Sequence, residues 1–135
     1  MTRPSGAAPI AITGGAGFIG SNLADALLSA GERVIVLDNL SRPGVEQNLQ
    51  WLQGRHGDKV EPVLADIRNA AEIEPALAQA KAVFHLAAQT AVTTSLVAPV
   101  DDFEVNARGT LNVLEAVRKA GTKAPVIFSS TNKVY

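Results

Sequence analysis

Short continuous apolar runs recur along the chain and alternate with longer stretches whose apolar positions fall three and four residues apart. Residues 10–13, 34–37, 60–65, 82–86 and 126–129 form the runs, the third interrupted by Pro62. Continuous rather than alternating apolar character marks strands covered on both faces. Between the first two runs, Ile19, Leu23, Ala26, Leu27 and Ala30 fall at helical spacing, and Gly31 stops the pattern. Residues 45–55 and 70–79 read as two further helices. Residues 99–120 read as the longest helix, with Pro99 in its first turn and Gly121 just past its end. This strict alternation predicts an α/β fold: a doubly wound parallel sheet of about five strands, in the order 3-2-1-4-5, with right-handed crossovers. No internal repeat or interdomain linker breaks the pattern. Residues 1–9 are expected to be a loose tail and residues 10–135 one domain.

Bulk properties narrow the function classes without choosing one. The 135 residues amount to one domain, and 47% apolar with 19% charged residues is an ordinary globular composition. A net charge of -1 offers no basic excess for a phosphate backbone, so no nucleic acid partner is expected. The absence of cysteine removes disulfides, thiolate nucleophiles and cysteine-bound zinc, and fits a cytoplasmic protein. No apolar run reaches the roughly 20 residues that span a bilayer, so no membrane partner is expected. No cluster of His, Asp and Glu has metal-ligand spacing, so no metal is expected either.

The first strand-to-helix connection carries the clearest chemistry. Gly14, Gly17 and Gly20 stand in a Gly-x-x-Gly-x-x-Gly pattern between the first predicted strand and the first predicted helix. Such a turn needs one glycine to fold back sharply, one to let backbone approach a pyrophosphate, and one to let helix and strand pack closely. The N–H groups at the helix start, around Phe18 and Ile19, then face the anion. Asp38 stands 18 residues beyond Gly20, at the end of the second strand, where an acidic side chain accepts from ribose hydroxyls. A carboxylate there also repels a 2′-phosphate and so favours NAD over NADP. Arg42 is the opposing signal, because an arginine can hold that phosphate, although a solvated loop cation is the simpler reading. The expected architecture is thus a Rossmann-like dinucleotide-binding domain with NAD as its cofactor.

The glycine spacing resembles that of the extended short-chain dehydrogenase/reductase superfamily, the NAD-dependent epimerase/dehydratase group. Further segments match its motifs in order. Asp66-Ile67-Arg68 is similar to an adenine-contacting triplet. His85-Leu86-Ala87-Ala88-Gln89 is similar to a segment lining the cofactor. Asn106, with Gly109, Thr110, Asn112 and Leu114-Glu115-Ala116, resembles a long helix whose asparagine bends it and bridges to the active site. Ser129-Ser130-Thr131 resembles the active-site hydroxyl run. The stretch Asp38-Asn39-Leu40-Ser41-Arg42, the segment Asn48-Leu49-x-Trp51-Leu52, the run from Gln89 to Thr93-Thr94-Ser95, and above all Thr131-Asn132-Lys133-Val134-Tyr135 resemble the CDP-paratose 2-epimerase subgroup.

What the resemblance implies is a nucleotide-sugar epimerase that binds a CDP-sugar and acts by transient oxidation at C2. It implies Gly14, Gly17, Phe18, Ile19, Gly20, Asp38, Asn39, Ser41, Arg42, Asp66, Ile67, Leu86, Ala87, Ala88, Gln89, Asn106 and Ser129 at the cofactor. It implies Thr93, Thr131 and Asn132 at the substrate, with Thr131 ordering the reacting hydroxyl. The family's catalytic Tyr-x-x-x-Lys has no counterpart, since the single tyrosine is Tyr135 and Lys133 precedes it. The chain is therefore expected to be the N-terminal, cofactor-binding portion of a longer enzyme. The full-length enzyme would be a homo-oligomer, with a dimer contact involving the helix 99–120. A 4-epimerase or 4,6-dehydratase of the same superfamily is the alternative enzyme reading, and a non-catalytic NAD-binding module is the alternative of another class. His85 is expected to be a core histidine rather than a base, and His56 to be solvated.

Overall fold

A computed structural model describes residues 7–88 and 92–130, giving the backbone alone for residues 92–94. Five strands, β1 (Ile10–Thr13), β2 (Val34–Asp38), β3 (Val60–Leu64), β4 (Ala82–His85) and β5 (Val126–Phe128), form one parallel sheet in the order β3-β2-β1-β4-β5. The central strands are the most apolar and the most covered: every residue of β1 and the first four of β2 are buried. Pro62 lies on β3, an edge strand that pairs only with β2, where a missing N–H breaks no second ladder.

The helices divide between the two faces. Helices α1 (Phe18–Ser29) and α2 (Val45–His56) cover one face, packing Ala24, Leu28 and Leu52 against Ile12, Val34 and Val36. Helix α3 (Ala70–Ala78) joins the C-terminal helix on the other face, where Ile73, Leu77, Val113 and Val117 pack against Ala11, Ile35, Leu37 and Val83. Fully burying each such aliphatic side chain contributes about 1.5–3 kcal/mol. The chain leaves β1 toward β2 and β3 on one side, and returns to β4 and β5 on the other. A crevice therefore opens beyond the C-terminal ends of β1 and β4, at the point where strand order reverses.

The predicted helix 99–120 is continuous but not uniform. It comprises α5 (Pro99–Phe103), a π turn (Glu104–Arg108) and α6 (Gly109–Ala120). A short helix that the periodicity does not reveal, α4 (Val92–Val97), precedes it, and Pro99 separates the two by forcing Ala98 out of the helical region. One other expectation changes, that for His56, and one contact precedes the sheet. Pro9, just ahead of β1, is buried, and its carbonyl accepts a hydrogen bond from Lys81 N–H at 2.9 Å. His56 is not solvated: its ring is 11% exposed and its Nε2 lies 2.7 Å from Asp25 Oδ1, a carboxylate that also takes Arg55 at 3.0 Å. Those bonds, His56 foremost, hold the Asp25 carboxyl below its usual range. No helix among the described residues is long and apolar enough to cross a membrane.

Candidate functional site

A cleft of about 470 Å3 occupies the crevice at the strand-order reversal, a size ordinary for a small-molecule site. Its floor is the glycine turn. Gly14 has φ +69, a conformation that side chains disfavour, and a Cβ there would stand 2.8 Å from Ala87 N. A Cβ on Gly20 would overlap the Gly14 carbonyl oxygen and reach within 2.8 Å of Gly15 Cα. A Cβ on Gly17 would meet only the Gly14 oxygen, at 3.3 Å. Gly15, which the glycine spacing leaves out, is as constrained as its neighbours, since its Cβ would stand 2.9 Å from both Ile12 O and a Val36 methyl. The loop is held from outside as well, by Gly14 N–H donating to Leu37 O at 2.8 Å and Asn48 Nδ2 donating to Ala16 O at 2.8 Å.

Helix α1 starts at this turn, and its first intrahelical bond is Ser21 N–H to Gly17 O at 2.9 Å. The N–H groups of Phe18, Ile19 and Gly20 precede that bond, and no acidic residue occupies the first turn. All three residues line the cleft. Such a terminus accepts an anion by geometry and by its dipole.

The β2 end forms one side wall. Asp38 is anchored by its own carboxylate: Oδ2 accepts from Ala16 N–H at 3.1 Å and Oδ1 from Leu40 N–H at 2.8 Å. The group that would meet a ribose is thus tied to the glycine turn rather than free to rotate. Asn39, Ser41 and Arg42 follow it along the cleft, Asn39 Oδ1 accepting from Ser41 N–H at 3.1 Å. Arg42 forms no ion pair among the described residues.

The β3 end forms the adjoining wall. Asp66 accepts from Arg68 through its backbone N–H at 2.9 Å and through Nη2 at 2.7 Å. The Arg68 guanidinium, with smaller help from Asn39, holds the Asp66 carboxyl below its usual range. This tight turn drives Ile67 inward, where it is 5% exposed and still lines the cleft. Gly109 packs on it so closely that a Cβ there would stand 2.5 Å from Ile67 Cδ1. Gly109→Ala should therefore lower stability by about 1–2 kcal/mol, overpacking outweighing the gain in helix propensity. Urea unfolding checks this, and an unchanged midpoint would show that Ile67 yields freely.

The far wall is the β4 end, with Leu86, Ala87 and Ala88, and Ser129 closes the cleft beyond β5. The cleft thus gathers residues from six separate segments, the π turn included. Asn106 is not among its lining residues. The π turn presents Val105 there instead, while Asn106 Nδ2 donates to Asp102 Oδ1 at 3.3 Å. Leu37, Val45 and Ala65 also line the cleft, with no sequence signal beyond their apolar character. Gln89, Thr131, Asn132 and the Thr93 side chain lie outside the described residues.

A model of the family described as GDP-mannose 4,6 dehydratase matches residues 11–135. The chain belongs to that family. It is 50% identical over 126 residues to CDP-paratose 2-epimerase of Salmonella typhi, covering 92% of this chain and 37% of that protein. It is 44% identical over 126 residues to UDP-glucose 4-epimerase of Mycolicibacterium smegmatis, covering 92% of this chain and 39% of that protein. The crystal structure of UDP-glucose 4-epimerase from Stenotrophomonas maltophila, with bound NAD and formylated UDP-arabinopyranose, superposes with a TM-score of 0.84 at 30% identity, covering 96% of this chain and 38% of that one. This member of the GDP-mannose 4,6 dehydratase family therefore spans under two-fifths of the length of each of these relatives.

Proposed function

We propose that this chain is the NAD-binding part of a nucleotide-sugar epimerase acting on a CDP-sugar at C2. The observation that carries the cofactor reading is the glycine turn seated at the strand-order reversal, with the Asp38 carboxylate fixed to it through Ala16 N–H. The chain's residues would divide the cofactor between them. Gly14, Gly17 and the N–H groups of Phe18 to Gly20 would take the pyrophosphate. Asp38 would accept from the adenosine ribose, with Asn39, Ser41 and Arg42 beside it. Asp66 and Ile67 would flank the adenine, and Leu86 to Gln89 would line the opposite wall. Ser129 would close the cofactor's cleft beyond β5, and Thr131 would order the sugar hydroxyl, with Thr93 and Asn132 at the sugar. Bound NAD would supply reversible oxidation at C2 of the sugar, with hydride leaving one face of that carbon and returning to the other.

The CDP-sugar assignment rests on the 50% identity to CDP-paratose 2-epimerase and on the run Thr131-Asn132-Lys133. Leu111 and Leu114, half-exposed on α6, are the surface a second copy would cover in an oligomer. The substrate test is product analysis after incubating the protein that carries this chain with NAD and CDP-paratose or UDP-glucose. Formation of the C2 epimer of CDP-paratose is expected. Conversion of UDP-glucose to UDP-galactose without action on CDP-paratose would replace the C2 assignment with a 4-epimerase.

A further inference from the structure

We propose that His85 is a positioning residue for the cleft: as a neutral imidazole with its proton on Nε2, it ties the β4 wall to the π turn of the long helix. The consequence for cofactor affinity rests on the NAD reading above, whereas the tie itself does not.

The argument is a matter of donors and acceptors. His85 is 6% exposed at the end of β4, one residue before the wall residues Leu86 and Ala87. Its Nδ1 lies 2.7 Å from Thr13 Oγ1, which is fully buried at the end of β1. Its Nε2 lies 3.0 Å from Thr110 Oγ1 on α6. The Thr110 hydroxyl donates to the Asn106 carbonyl at 2.7 Å, so its oxygen is left to accept from His85. The proton must then sit on Nε2, and Nδ1 must accept from the Thr13 hydroxyl. Thr13 Oγ1 in turn accepts from Leu86 N–H at 3.1 Å and Ala87 N–H at 3.2 Å. The order runs without conflict from the cleft wall through Thr13, His85 and Thr110 to the π turn, whose Val105 lines the cleft.

A second proton on His85 cannot be placed. It would point at Thr13 Oγ1, whose two lone pairs already serve Leu86 and Ala87, although Leu86 N–H also reaches the Thr13 carbonyl at 3.1 Å. One bond from the wall to Thr13 Oγ1 must be given up for each protonation. The ring nitrogens meet the hydroxyls of Thr13 from β1 and Thr110 from the helix; Phe128 is the register partner of His85 on β5, and the Asp102 carboxylate lies beyond Asn106, which Thr110 bonds. None of the facing groups carries charge, and burial pushes the imidazole pKa below its ordinary value. The folded chain therefore favours neutral His85. Its stabilisation is complete above about pH 6.5 and declines as pH falls from there through the lowered folded value.

The test combines imidazole 15N NMR, amide exchange and NAD titration on the chain and two variants. Thr110→Val keeps the volume and removes the acceptor, whereas Thr110→Ser keeps the hydroxyl and loses a methyl. The parent should show the Nε2–H tautomer at pH 7.5. Thr110→Val should speed exchange at Leu86 and Ala87 and weaken NAD binding, each about five- to tenfold, with Thr110→Ser close to the parent. A packing role alone predicts the reverse order. NAD affinity of the parent should fall as pH drops through the lowered pKa of buried His85, beneath the ordinary imidazole range. That fall should persist in His56→Gln, which alters the chain's other histidine, and vanish in His85→Gln. An Nδ1–H tautomer, or equal exchange at Leu86 and Ala87 in the two Thr110 variants, would overturn the tie. If Thr110→Val does not fold, the parent's tautomer and the pH profiles decide. A parent with the expected tautomer and exchange but no NAD binding would overturn the proposed function and leave the tie standing.

Discussion

Gly20→Ala is expected to destabilise the chain by about 3 kcal/mol and to weaken dinucleotide binding on the order of a hundredfold. The added methyl would occupy the place of the Gly14 carbonyl oxygen, which is backbone and not the flexible tip of a side chain. That carbonyl cannot swing away cheaply. Gly17 N–H donates to it at 3.1 Å, and Gly14 N–H is fixed to Leu37 O at 2.8 Å across the sheet. Alanine's better helix propensity returns only about 1 kcal/mol. What remains must move α1 away from β1, and this carries the first-turn N–H groups out of the cleft. Gly17→Ala is the internal contrast: its Cβ would stand 3.3 Å from the same oxygen, a contact a small shift relieves, so its stability should change by less than about 1 kcal/mol. Urea unfolding of the three proteins separates the cases. A Gly20→Ala midpoint equal to the parent's would show that helix and strand do not depend on this contact.

Asp38→Asn should lower NAD affinity about ten- to a hundredfold and shrink the preference for NAD over NADP. One carboxylate oxygen becomes an NH2 group. It must then either face the N–H of Ala16 or Leu40, now donor against donor, or turn toward the ribose, where an acceptor is needed. The repulsion that keeps a 2′-phosphate out disappears with the charge, and Arg42 lines the same part of the cleft. Paired titrations with NAD and NADP check this. An unchanged ratio of the two affinities would remove Asp38 from the ribose.

The strands and the glycine turn were legible in the sequence because both are local. A buried parallel strand writes itself as a run such as Val34-Ile35-Val36-Leu37, and Gly14, Gly17 and Gly20 stand within one turn of chain. Helix α4 was not legible: all of its residues Val92-Thr93-Thr94-Ser95-Leu96-Val97 but Leu96 are β-branched or small, and Pro99 suggested a helix start rather than a boundary between two helices. The π turn was equally hidden, because the apolar period of residues 99–120 stays close to helical throughout. Its position makes sense only beside Ile67, 42 residues away, which Gly109 must approach. The same holds at the site. Asp38 could be read from spacing, but not that Ala16 and Leu40 would hold both its oxygens. His85 could be read as buried, but not that Thr13 and Thr110 would fix its proton. His56 looked like a loop residue because Asp25, its partner, is 31 positions away on another helix. Pairings that depend on topology leave no trace in a local window.

The central claim is that the Gly14–Gly20 turn and Asp38 together form an NAD site. It is tested most directly by titrating the 135-residue chain with NAD and with NADP under the same conditions. Saturable binding of NAD, at least tenfold tighter than NADP, is the result expected from a carboxylate at the ribose. Absence of NAD binding by a folded chain, or tighter binding of NADP, would contradict it.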